Sequence, residues 1–158
     1  MCSCPIGVLP HVADILAVAE RQARITHDID GGVRSSQAVA LTTHYFLYHF
    51  GDRADLPAFL EAHLGGEWST PHRGKVGPDG LVAARAAITA LTAETCMSEL
   101  LRHYIDFGGD VDIVAAVALG AASCFPDYTQ DLPAALHDGL ERGPWGERLP
   151  AGVGPPTS

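Results

Sequence analysis

The sequence predicts an all-α fold. Apolar residues recur at spacings of three and four, and glycines and capping residues punctuate those runs, while alternating strand patterns are scarce. A length of 158 residues suits one domain, and 47% hydrophobic against 18% charged residues describes a chain that buries much of its surface. A domain of this size removes roughly 68–70% of its unfolded surface from water, enough for a real core.

Each element has its own signal. Leu9-Pro10 opens a first helix with Val12, Ile15, Leu16 and Ala19 at helical spacing, ending near Arg24, and Thr26 to Gly32 reads as a turn. A longer helix is expected from about Val33 to Phe50, with Val39, Thr43, Phe46, Leu47 and Phe50 on one face and Gly51 after its end. Asp55 is placed to cap a short helix through Leu64 that turns Leu56, Phe59, Leu60 and Leu64 inward. From Glu67 to Gly80 prolines and glycines accumulate without periodicity, a long loop of the kind that often carries function.

Asp79 or Gly80 then begins an alanine-rich helix through Leu91, and a further helix covers Met97 to Ile105 with Leu100, Leu101 and Tyr104 buried. After the acidic loop around Asp110, another helix starts at Ile113. Asp131 followed by Leu132-Pro133 predicts a capped last helix to about Arg142. The helical domain is expected over residues 1–146, and residues 147–158 form a Gly/Pro-rich flexible tail.

Charge and cysteine usage narrow the function classes. The formal charge is −9 and Lys75 is the sole lysine, so no basic stripe is available to follow a phosphate backbone, which argues against nucleic acid. Cys2, Cys4, Cys96 and Cys124 form no C-x-x-C pair and read as reduced thiols. No basic leader and no apolar run of the ~18 residues a membrane span needs are present, so the expected compartment is the cytoplasm, with no membrane partner.

The most informative segment is Gly108-Gly109-Asp110-Val111-Asp112, which runs straight into the apolar stretch from Ile113 to Gly120. On a regular helix residues i and i+2 point to different sides, so Asp110 and Asp112 share a ligand only on non-helical backbone. The two glycines supply that freedom, and a hard cation such as Mg²⁺ would then meet two carboxylate oxygens. A plainer reading has Asp112 capping the following helix through the N–H of Ala115 and Asp110 sitting in a turn. Thr26-His27 is the second candidate: the imidazole could meet a ribose or phosphate near the next helix N-terminus, or His27 could simply cap or pack. His44, His49 and the other histidines show no ligand spacing, and no P-loop, dinucleotide fingerprint, H-E-x-x-H or serine elbow appears.

These residues resemble the ADP-ribosylglycohydrolases, all-helical enzymes that include the dinitrogenase-reductase-activating glycohydrolases. Cys4-Pro5-Ile6-Gly7 is similar to the family's mid-domain Pro-Ile-Gly segment, Thr26-His27 to its Thr-His turn, and Gly109-Asp110-Val111-Asp112 with Val114-Ala115-Ala116 to its C-terminal metal motif. The likeness runs in order over nearly all of residues 4–146 and corresponds to the C-terminal half of the family's fold. It implies that Asp110 and Asp112 are ligands of a two-magnesium centre and that Thr26 and His27 contact ADP-ribose.

Two departures shape the expectation. Where the family continues Asp-x-Asp with a hydroxyl residue, Ile113 offers hydrocarbon. The family's N-terminal Thr-Asp-Asp cluster and catalytic carboxylate have no counterpart here, so no catalytic residue is assigned. The resemblance therefore implies hydrolysis of the glycosidic bond of ADP-ribosyl groups, in a chain expected to be incomplete or inactive alone. ADP-ribose or an ADP-ribosylated protein is the expected ligand, and a complementary N-terminal half or a second copy the expected partner. The alternative is a noncatalytic ADP-ribose-binding or helical protein-interaction module.

Overall fold

Residues 3–26 and 28–138, those described by the computed structural model, form seven α-helices and two 3-10 turns, with no strand among them. The helices are α1 (Val12–Thr26), α2 (Asp30–Leu47), α3 (Leu56–Leu64), α4 (Gly80–Ala93), α5 (Met97–Phe107), α6 (Val111–Ala122) and α7 (Ala134–Asp138). The all-α expectation holds. The expected end of the last helix near Arg142 and the 147–158 tail lie outside the described residues.

Helix α2 is the hub, packing against α1, α3, α4 and α6. It begins three residues before the expected Val33 and ends three before Phe50. It is also not amphipathic: Ser35, Ser36 and every residue from Ala38 to Phe46 are buried. A helix enclosed by neighbours on all sides needs no polar face, so its small and hydroxyl residues sit inside. Their hydroxyls turn back on helix backbone, Thr42 onto Ala38 O at 2.8 Å and Ser36 onto Ala19 O of α1 at 3.1 Å. Phe50, expected to face inward, lies beyond the helix and is exposed.

The N-terminal 3-10 turn, Cys4–Val8, lies along α2. Ser3 meets Ser36 at 2.7 Å, and the Tyr48 hydroxyl donates to Val8 O at 2.8 Å. Gly7 sits so close to α2 that a Cβ there would lie 2.5 Å from Ala40 O and 2.8 Å from His44 N. The Gly7 carbonyl accepts from Nδ1 of the buried His44 at 3.1 Å. Burial pushes the His44 pKa down, in keeping with a neutral ring.

Helices α2, α4 and α6 run in the same direction. At one end Gly80, the first residue of α4, faces Ser35 of α2, and Val76 just before α4 pairs with Gly109 just before α6. At the other end the Phe46 ring lies 5.0 Å from that of Phe125 and 5.9 Å from that of Tyr128, whose hydroxyl donates to Leu91 O. Three helix N-termini therefore gather at one end of the bundle, where their aligned peptide dipoles favour negative charge.

Two expected caps act differently. Asp55 has helical backbone angles (φ −88°, ψ −8°) and makes no capping hydrogen bond, because the 3-10 turn Arg53–Asp55 feeds directly into α3. Asp131 does not cap the last helix. Its carboxylate accepts from Ser98 N at 2.9 Å and Ser98 Oγ at 2.6 Å, covering the N-terminus of α5, whose own N-cap Cys96 makes no side-chain capping hydrogen bond. Asp79 caps α4 as its sequence position predicts, accepting from Leu81 N and Val82 N. No helix among the described residues is long and apolar enough to cross a membrane.

Candidate functional site

The acidic loop is built on two left-handed glycines. Gly108 (φ +66°) ends α5, and Gly109 (φ +86°) turns the chain toward α6. Two backbone hydrogen bonds hold this turn against the long loop: Val76 N donates to Gly108 O at 3.0 Å, and Asp110 N donates to Val76 O at 2.9 Å. The approach is so close that a Cβ on Gly109 would stand 2.2 Å from Val76 O.

Asp110 follows with non-helical angles (φ −84°, ψ 67°), and α6 begins at Val111. The helix thus starts two residues ahead of the expected Ile113, and Asp112 lies in its first turn. One irregular residue is enough to bring the pair together. Their carboxylates are within hydrogen-bonding reach, so the shared bond raises the pKa of Asp110 and lowers that of Asp112. Asp112 also accepts from Ile113 N at 2.9 Å. The anticipated cap onto Ala115 is thus replaced by a contact one residue away. Asp110 is half-buried and Asp112 exposed, so both keep lone pairs facing solvent.

Ile113 is half-buried against the core beside the fully buried Val114. Its hydrocarbon serves packing and offers no ligand. Two carboxylates fit Mg²⁺, which typically takes one or two from protein and fills its octahedron with water or phosphate oxygens. Among the described residues no group of three or more His, Cys, Asp or Glu side chains gathers as a metal site, so the pair is one side of a coordination sphere.

Thr26 is the last residue of α1 and exposed, while His27 lies outside the described residues. Helix α2 begins at the end of the bundle where Asp110 sits, because α2, α4 and α6 all start there. The α2 N-cap, Ile29, is extended and caps nothing with its side chain. On the outer side of α5 an open cleft is lined by Glu94, Glu99, Arg102, His103, Asp106 and Phe107, with His103 Nδ1 paired to Glu94 at 2.8 Å. It borders Gly108 through Phe107 but contains neither Asp110 nor Asp112.

Val76 is the contributor that motif reading passes over. It carries no chemistry, yet it is 2% exposed and its peptide holds the acidic turn. The signal was present: an isolated β-branched residue among glycines and prolines in a long polar loop must be buried against something.

A family model for ADP-ribosylglycohydrolase matches residues 1–154. The chain belongs to the ADP-ribosylglycohydrolase family. No curated protein and no solved structure matches it at a significant level. Membership agrees with the all-helical architecture.

Proposed function

We propose that this ADP-ribosylglycohydrolase-family chain supplies the Asp110–Asp112 side of a magnesium-dependent centre that cleaves the glycosidic bond of ADP-ribosyl groups. The observation that carries this reading is the turn itself. Val76 fixes it by two backbone bonds, and it aims two carboxylates together at the end of the bundle where three helices begin. When bound, Mg²⁺ would polarise ribose oxygens and organise water near the anomeric carbon. Asp110 and Asp112 would hold it. Thr26 and His27 would contact ADP-ribose, and the N-terminus of α2, which its N-cap Ile29 leaves without a side-chain cap, suits a phosphate oxygen.

The proposed centre is completed from outside, by a complementary polypeptide bearing further carboxylates or by a second copy. Support comes from the donor count: among the described residues two carboxylates gather with no third His, Cys, Asp or Glu side chain beside them, and Ile113 adds no ligand. The same observation favours a second reading, a noncatalytic module that binds ADP-ribose or an ADP-ribosylated protein. Its cysteine usage, with no C-x-x-C pair, supports a cytoplasmic location for either version.

Calorimetric titration of ADP-ribose with and without Mg²⁺ tests the shared claim. Binding should require Mg²⁺ and weaken at least tenfold in Asp110→Ala; metal-independent binding, or none at millimolar ligand, contradicts it. Turnover of ADP-ribosylated arginine and serine substrates separates the readings. The chain alone should give none. Activity that appears on adding a carboxylate-bearing partner identifies the completed enzyme, and robust turnover by the chain alone removes the two-sided centre.

A further inference from the structure

Two half-buried thiols converge on one face of α2 from opposite ends of the described chain. Cys4 opens the N-terminal 3-10 turn and hydrogen-bonds to the Thr43 side chain. Cys124 lies two residues beyond α6, directs its Sγ to Gly120 O at 3.5 Å, and precedes Phe125, whose ring lies 5.0 Å from that of Phe46 at a tilt. Thr43 and Phe46 are three apart on α2, hence on one face and within a helical turn of about 5 Å. The turn packs directly on α6, and both cysteines pack on the same core. The remaining described thiol, Cys96, sits apart at the start of α5, next to Ser98 Oγ at 3.6 Å.

We propose that Cys4 and Cys124 form a reversible disulfide that fastens the N-terminal turn to the end of α6 across α2. The oxidant is a small-molecule disulfide such as glutathione disulfide. One protein thiolate attacks it, forming a mixed disulfide and releasing one glutathione thiol. The second protein thiolate displaces the other glutathione. Two cysteine thiols thereby lose two electrons and two protons, and one glutathione disulfide becomes two thiols. Such a link in a thiol-rich compartment is a switch rather than a staple. Burial raises the Cys4 pKa, so fewer thiolates form at neutral pH and closure quickens as pH rises. The covalent tie closes most of the chain into one loop, which restricts the unfolded state and holds the turn on α2.

The test uses the full chain with Cys2→Ser, so that the N-terminal peptide carries one thiol. After incubation with glutathione disulfide at pH 8, the intact mass should fall by about 2 Da, the loss of two hydrogens. A nonreducing digest should contain one linked peptide pair joining Cys4 to Cys124, and the Tm should rise by about 5–15 °C. Dithiothreitol should reverse all three. Glutathione adducts alone, a link to Cys96, or no mass change would overturn the proposal, as would a link that leaves the Tm unmoved.

Discussion

Replacing Gly109 by alanine strikes the clamp that aims the aspartates. Its φ of +86° disfavours any L side chain, at about 1–2 kcal/mol. The added methyl would stand 2.2 Å from Val76 O and 3.2 Å from both Val76 N and Val76 C, all backbone atoms that cannot rotate away. The turn must then withdraw, losing Val76 N to Gly108 O and Asp110 N to Val76 O, each worth about 0.5–1.5 kcal/mol. The sum is about 2–5 kcal/mol. Gly108→Ala is the internal control: its φ is also positive, but the nearest atom to its Cβ is Lys75 Cγ at 3.9 Å, so only the conformational cost of about 1–2 kcal/mol applies. Urea denaturation followed by circular dichroism measures both variants, and amide exchange at Val76 and Asp110 reports the clamp itself. Exchange at those amides should accelerate in Gly109→Ala and stay nearly unchanged in Gly108→Ala. Equal stability losses for the two, with unchanged exchange, would refute the clamp.

Other sites give smaller or opposite effects. Gly120, inside α6 with open space around its Cα, should gain about 0.5–1 kcal/mol on replacement by alanine, measured in the same denaturation experiment; destabilisation would contradict the packing given for α6. Gly7→Ala forces a methyl onto the α2 backbone and should cost about 1–3 kcal/mol, with the His44–Gly7 hydrogen bond lost from the imidazole NMR signals. Asp131 accepts from the Ser98 hydroxyl and amide, which hold its pKa below the usual value of 3.8. Its contribution is therefore present above the unfolded pKa and disappears as pH falls through the lowered folded value. Asp131→Asn should lower the Tm at pH 7, and the difference should shrink as pH falls through the lowered folded pKa and the wild-type carboxylate also takes up a proton. An equal loss across that range would place the effect elsewhere.

Local signals in the chain reach as far as local physics reaches. Leu56–Leu64 and the Asp79 cap follow from side-chain spacing and the residue before a helix, and the Gly108-Gly109 pair announced a left-handed turn. Features set by neighbours were hidden. The ends of α2 shifted because burial on all sides removed the amphipathic pattern that would mark them. Asp131 looked like the cap of its own helix, yet its partner is Ser98, more than thirty positions upstream, and no local pattern encodes that contact. At the site, sequence spacing left Asp112 open to two roles; the non-helical backbone of Asp110 brings the carboxylates together, and Val76 holds the turn in place.

The most direct test of the central claim is paramagnetic Mn²⁺, substituted for Mg²⁺, with line broadening followed residue by residue in the ¹⁵N spectrum. Broadening should centre on Asp110 to Val114 and reach Val76 and Gly77, and it should vanish in Asp110→Asn with Asp112→Asn. Broadening centred instead on Glu94, Glu99 and Asp106 along the α5 cleft, or none at all, would show that the aspartate turn does not hold the metal.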